Sequence, residues 1–204
     1  MSGFRPLSKL PGPAGPTASA LSGVKDGRTW RFGTEDDVAW IRQGTTPGLT
    51  ITSAIPPLFE AYATIVVPDT DQGRAEDFEL ILQLLREQSA DQPWWLGYLE
   101  TGGDDLVFSE ARRTKLYAHW PYVLVEAGPE QAAQWRDPNS WRAPGPDLLF
   151  PADRSWLVSW LWDDDWRCVG GPAALIERFL DQRQLQTRLV RLGEDATPPG
   201  HLAR

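Results

Sequence analysis

A chain of 204 residues with 28 acids against 20 Lys and Arg carries a net charge of −8. That balance argues against nucleic acid or an anionic membrane as partner, and an acidic surface of this kind suits a basic protein instead. One cysteine and two histidines leave no material for a disulfide framework or a Cys/His metal cluster. There is no run of about 18 apolar residues and no uninterrupted apolar segment at the N-terminus, so the chain reads as soluble and cytoplasmic.

Residues 1–24 hold Pro6, Pro11, Pro13 and Pro16 among glycines, without a period of 2 or 3.6, and are expected to form a flexible arm. Trp30 to Phe32 suits a short strand. Thr34 ahead of Glu35, Asp36 and Asp37 reads as a capped helix start, with Val38, Trp40 and Ile41 as its apolar face and Gly44 as its stop. Leu49 to Ile55 alternates like a strand. Leu58 to Val67 opens with a helical pattern and ends β-branched, a conflict that stays open. Ala75 to Gln88 is an amphipathic helix, Phe78, Leu80, Ile81, Leu84 and Leu85 inside, Glu76, Asp77 and Glu79 outside.

Trp94 to Leu99 and Leu106 to Ser109 flank a Gly-Gly-Asp-Asp turn and read as a hairpin. Lys115 to Glu126 reads as one long strand bent at Pro121, because proline cannot donate to a ladder. A short helix follows from Gly128 to Trp135. Asp137 to Pro151 is expected as an irregular surface loop with a brief strand near Leu148 to Phe150. Pro151 to Leu180 carries the most continuous signal: apolar Trp156 to Trp162, an acidic turn, a second run from Trp166 to Val169, glycines, and a helix opened by Pro172. Gln184 to Leu192 suits an edge strand, and 196–204 is expected as a disordered tail.

Candidate chemistry is thin. Asp104 and Asp105 occupy one hairpin tip, and Asp163, Asp164 and Asp165 the other. Consecutive carboxylates on an extended chain cannot converge on one cation, and the alternating acids and glycine of a calcium loop are missing, so solvated turns are the preferred reading. No G-x-S-x-G elbow or phosphate loop occurs. His119 is the sole general-base candidate in the folded part and is expected in a strand; Cys168 reads as a small core residue. No cofactor is expected, and the balance leans away from an enzyme.

The eleven tryptophans say more. At strand spacing Trp156, Val158, Trp160 and Trp162 share one face, which makes Trp160 an expected core residue. Trp135 and Trp141 flank the proline-rich loop, where exposure would make either a sugar-stacking platform or a protein hot spot. These seven residues, Asp104, Asp105, Asp163, Asp164, Asp165, Trp135 and Trp141, are the candidate binding set.

Early helices, a Trp-Leu-Gly-Tyr strand with a Gly-Gly turn (Trp95 to Gly103), later strands, and an amphipathic helix after Gly170-Gly171-Pro172 resemble the SMI1/KNR4 (SUKH) superfamily over residues 50–182. The proline-rich arm and the Trp-Asp-Asp-Asp-Trp segment fall outside that pattern. The resemblance implies an α+β fold and, since many members are bacterial immunity proteins, neutralisation of a secreted toxin. A high-GC bacterial coding bias also fits 17 Arg to 3 Lys. The expected architecture is a single α+β domain over residues 25–195. It would have an antiparallel or mixed sheet of five to seven strands, helices packed on it, and a C-terminal β-hairpin followed by a helix. The expected function is a non-catalytic acidic protein-binding module, possible partners including a toxin. The competing classes are a carbohydrate-binding or carbohydrate-cleaving protein and a structural subunit of a larger bacterial assembly.

Overall fold

β-branched and aromatic residues recur at strand spacing through most of the chain, and they collect into one sheet. The computed structural model describes residues 22–25, 28–102, 111–131, 135–136, 145–162 and 164–202. Among the described residues ten strands are formed: β1 (Ser22–Lys25), β2 (Arg28–Phe32), β3 (Ala61–Val66), β4 (Trp94–Leu99), β5 (Thr114–Leu116), β6 (Trp120–Ala127), β7 (Leu148–Pro151), β8 (Leu157–Ser159), β9 (Trp166–Gly171) and β10 (Thr187–Val190). Nine follow the order β1-β2-β6-β4-β7-β8-β9-β3-β10, and β5 also pairs with β6. Every pairing is antiparallel.

The sheet is covered on both faces. Along β4 all six residues are buried, and they alternate in partner. Trp94, Leu96 and Tyr98 pack with α2 (Asp71–Ser89) and α3 (Ala173–Leu180). Trp95 and Leu99 pack with α1 (Ala39–Gly44) and a 3₁₀ turn at Ile51–Ser53. Helix α2 begins where the Thr70 side chain accepts from the Gly73 N–H, and it buries Phe78, Ile81, Leu82 and Leu85 at i, i+3, i+4 and i+7. At its end the Ser89 carbonyl accepts from Trp94 Nε1 and the Ser89 hydroxyl from Trp156 Nε1, both at 2.9 Å. The two indoles meet edge-to-face with centroids 4.9 Å apart.

The sequence-based expectation of a five-to-seven-stranded α+β sheet is overturned: ten strands make a mostly-sheet molecule with three α-helices among the described residues. Three segments show why. Ser22–Lys25, whose first three residues fall within the expected arm, pairs with β2 as an edge strand. The Lys115–Glu126 segment is two strands, β5 and β6, which fold back on each other through Tyr117-Ala118-His119. The turn, and not Pro121, breaks the strand. Third, β9 runs on through Gly170 and Gly171, beyond the expected end at Val169. A Cβ on Gly170 would stand 2.5 Å from the Phe59 ring, so the glycine admits a side chain from the covering layer.

Other boundaries shift for local reasons. Leu49–Ile55 forms no strand; Ile51, Ala54 and Ile55 are buried at i, i+3 and i+4 of a helical turn. Thr34 does not cap α1. It forms a turn in which its own N–H donates to Asp37 Oδ2 at 2.8 Å, and the helix starts at Ala39. Within the supposed surface loop, residues 145–151 are buried. Asp147 Oδ2 there accepts from Arg136 Nη2 and from the Leu99 N–H, each at 2.7 Å, with both side chains of the ion pair within 1% of full burial. The supposed tail is anchored as well, since the Ala196 N–H donates to the Leu49 carbonyl and Ala196 is buried. Residues 1–21 of the expected arm and the expected 106–109 strand lie outside the described residues.

Candidate functional site

The outer side of α2 carries the clearest polar groove. Glu76, Glu79, Leu80 and Gln83 form a stripe at helical spacing, and Gln184, from the turn between α3 and β10, closes the other wall. The groove encloses about 590 Å³. Gln72 Nε2 donates to Glu76 Oε1 at 2.7 Å, and Arg86 Nη1 donates to Glu79 Oε1 at 2.8 Å. Asp77, expected outside, is buried, because its position turns toward the sheet where Arg167 of β9 lies. Burial raises its carboxyl above the ordinary value; the Arg167 guanidinium opposes that shift, and Glu76 adds to it. The sequence marks these acids as a helix face but contains nothing that brings Gln184 to them from a hundred residues away.

Of the seven sequence-predicted residues, Trp135, Asp164 and Asp165 fall among the described residues. Trp135 is 3% exposed, its ring edge-on to Tyr98 with centroids 6.2 Å apart, so it is core and no platform. The Asp164 carbonyl accepts from Trp160 Nε1 at 2.7 Å. The exposed Asp165 takes the Val67 N–H on its carbonyl at 2.8 Å, while its carboxylate stands 3.9 Å from His201 Nδ1. Both aspartates therefore tie down the β8–β9 connection in addition to facing solvent. Asp104, Asp105, Trp141 and Asp163 lie outside the described residues. Trp160, expected in the core, is half-buried, its ring lying 4.9 Å from the Arg167 guanidinium.

Catalytic candidates fare no better. His119 is an exposed turn residue. Cys168 is buried in β9, and burial, reinforced by the Asp164 charge, pushes its thiol far above the range where a thiolate forms. Among the described residues no three His, Cys, Asp or Glu side chains are grouped as metal ligands, and no helix is long and apolar enough to cross a membrane.

The opposite face of the sheet holds a second groove of about 260 Å³, which the sequence reading missed. Thr45, Thr46, Ser53, Tyr117, Trp120 and Leu161 line it together with Arg42. The hairpin that presents Tyr117 has two non-glycine residues in left-handed backbone, Tyr117 at φ 52° and His119 at φ 67°. Such residues cost on the order of 1–3 kcal/mol each and persist only where their surroundings hold them. Here the Tyr117 hydroxyl does so, donating to the Ala54 carbonyl at 3.0 Å and sharing a 2.8 Å hydrogen bond with Ser159 Oγ. No signal in the sequence marks that turn, since neither residue is a glycine or asparagine. No family model matches the chain, and it matches neither a curated protein nor a solved structure.

Proposed function

We propose that this protein is a non-catalytic module of the bacterial cytoplasm that binds a basic protein segment in the acidic groove along α2. The observation that carries the reading is the grouping of Glu76, Asp77 and Glu79 with two glutamine amides around an apolar Leu80, in a chain of net charge −8. Only Glu79 is matched by a cation of its own helix, Arg86. Carboxylates at a groove steer a basic partner into place, and the amides and Leu80 offer short-range contacts once it arrives. The sequence resemblance to the SUKH superfamily makes a secreted toxin the first class of partner to try.

The test is a pull-down from the native host followed by association kinetics on the captured protein. Glu76→Gln, Asp77→Asn and Glu79→Gln combined are expected to lower the on-rate about tenfold at low salt and to flatten its salt dependence, as loss of steering charge does. Melting should be unchanged within a few degrees. A partner whose binding ignores both salt and the triple substitution would refute the groove.

A carbohydrate reading is favoured by one specific feature, the Tyr117–Trp120 groove with its threonine and serine hydroxyls. Aromatic faces beside hydroxyls suit a neutral sugar. Binding of that kind would be independent of salt and would be lost in Trp120→Ala while surviving the acidic triple substitution.

A further inference from the structure

A third hollow, of about 280 Å³, lies where the turn after β7 and the segment before β3 approach the start of α3. Trp40 lines it and is held edge-on against Phe150 and Phe59, with centroids 5.4 and 6.4 Å away. Its indole Nε1 is buried and donates to no described residue. Leu58, 68% exposed, and Phe59 form an apolar wall on which no other described residue closes. A large aliphatic side chain left that open beside aromatic rings is an unfilled contact.

The rim supplies charge. Arg154 adopts left-handed backbone at φ 59°, unusual for a long side chain, and its guanidinium lies 5.5 Å from the Trp40 ring centre. Among the described residues no carboxylate pairs with it. A guanidinium on an aromatic face keeps its N–H fork free for a planar anion. Glu60 also lines the hollow, but Glu60 Oε2 already accepts from the Ala173 N–H at 3.0 Å. It therefore occupies the electropositive end of α3, and Arg154 is the group left to receive a further anion.

We propose that this hollow binds a carboxylate carried on an apolar group, its anion on the Arg154 guanidinium and its apolar part between Leu58, Phe59 and Trp40. Both a free aryl or alkyl acid and the C-terminal residue of a peptide present that chemistry. The site shares no residue with the α2 groove, so it stands or falls independently of the proposed function.

The experiment titrates ¹⁵N-tryptophan-labelled full-length protein with 3-phenylpropionate and, separately, with its uncharged amide. The Trp40 indole resonance is assigned from Trp40→Phe. The acid is expected to shift that resonance saturably and the amide to bind at least tenfold more weakly. Arg154→Gln and, independently, Leu58→Asp should each weaken the acid at least tenfold; both residues are exposed, and unchanged spectra elsewhere will confirm the fold. A tripeptide ending in Phe, tried with free and amidated terminus, distinguishes the sources: tighter binding than phenylpropionate points to a chain end, weaker binding to a free acid. Equal binding of acid and amide, full binding by Arg154→Gln, or no saturable shift with any of these carboxylates overturns the proposal.

Discussion

Ser89 is a small polar residue at the end of a helix, and its carbonyl and hydroxyl accept from the indoles of Trp94 and Trp156, neither of which is exposed at all. Ser89→Ala leaves the Trp156 N–H buried without an acceptor, which costs about 1–3 kcal/mol. Denaturant unfolding should register that loss, whereas Ser89→Thr, which keeps the hydroxyl, should recover part of it. Asp77 supplies a pH signature of opposite character. Its carboxyl is raised above the ordinary carboxylate value, chiefly by burial. The folded state therefore holds its proton more tightly than the unfolded chain, and stability falls as pH rises from about 4 through the folded pKa. Comparison of wild type with Asp77→Asn across pH 3–7 should show the variant gaining stability relative to wild type over that window. At this scale the sequence was informative about which rings are apolar and uninformative about their partners. Trp156 and Trp160 share a strand face in the pattern, yet one finds Ser89 in the core while the other reaches out to the Asp164 carbonyl.

Among the elements, those with a long regular period were legible. The pattern places a helix over Ala75–Gln88 within the observed Asp71–Ser89, and a strand over Trp94–Leu99 with the observed bounds. Short segments failed where two periods fit the same residues. Leu49–Ile55 alternates, but Ile51, Ala54 and Ile55 also satisfy a helical turn, and burial of all three decided for the turn. The β5–β6 hairpin was hidden for a different reason, because its turn uses left-handed residues that are not glycine. His119 can test that strain directly. It is exposed at φ 67°, where glycine avoids the Cβ clash, so His119→Gly should raise stability by about 0.5–1 kcal/mol despite the entropy glycine adds to the unfolded chain. Thermal melts should show a rise of a few degrees. A fall would mean that the imidazole makes a stabilising contact.

For the molecule as a whole, strand order departs from chain order: β4 lies between β6 and β7, and β3 between β9 and β10. Such placement depends on which faces α2 and α3 cover, and a pattern along the chain cannot encode it. The same holds for both grooves, whose walls meet only once the sheet is assembled. The buried Arg136–Asp147 pair is the sharpest case, since Asp147, expected in a surface loop, ties the end of β4 to the start of β7 and faces Arg136 there. Two opposite charges at 2.7 Å offset one another's desolvation only while both are present. Asp147→Leu takes a carboxylate away from a buried guanidinium and from the Leu99 N–H, so the cost should reach about 3–5 kcal/mol, enough to unfold much of a marginally stable chain at 37 °C. Arg136→Met alone should be similarly damaging, for it removes the cation that faces the buried carboxylate. The combined Arg136→Met, Asp147→Leu variant removes both charges and should recover most of the loss, minus the hydrogen bond to Leu99. Urea unfolding of the four proteins completes the cycle, and a double variant no more stable than the singles would mean that Asp147 acts through the β4 backbone and not through its partner charge.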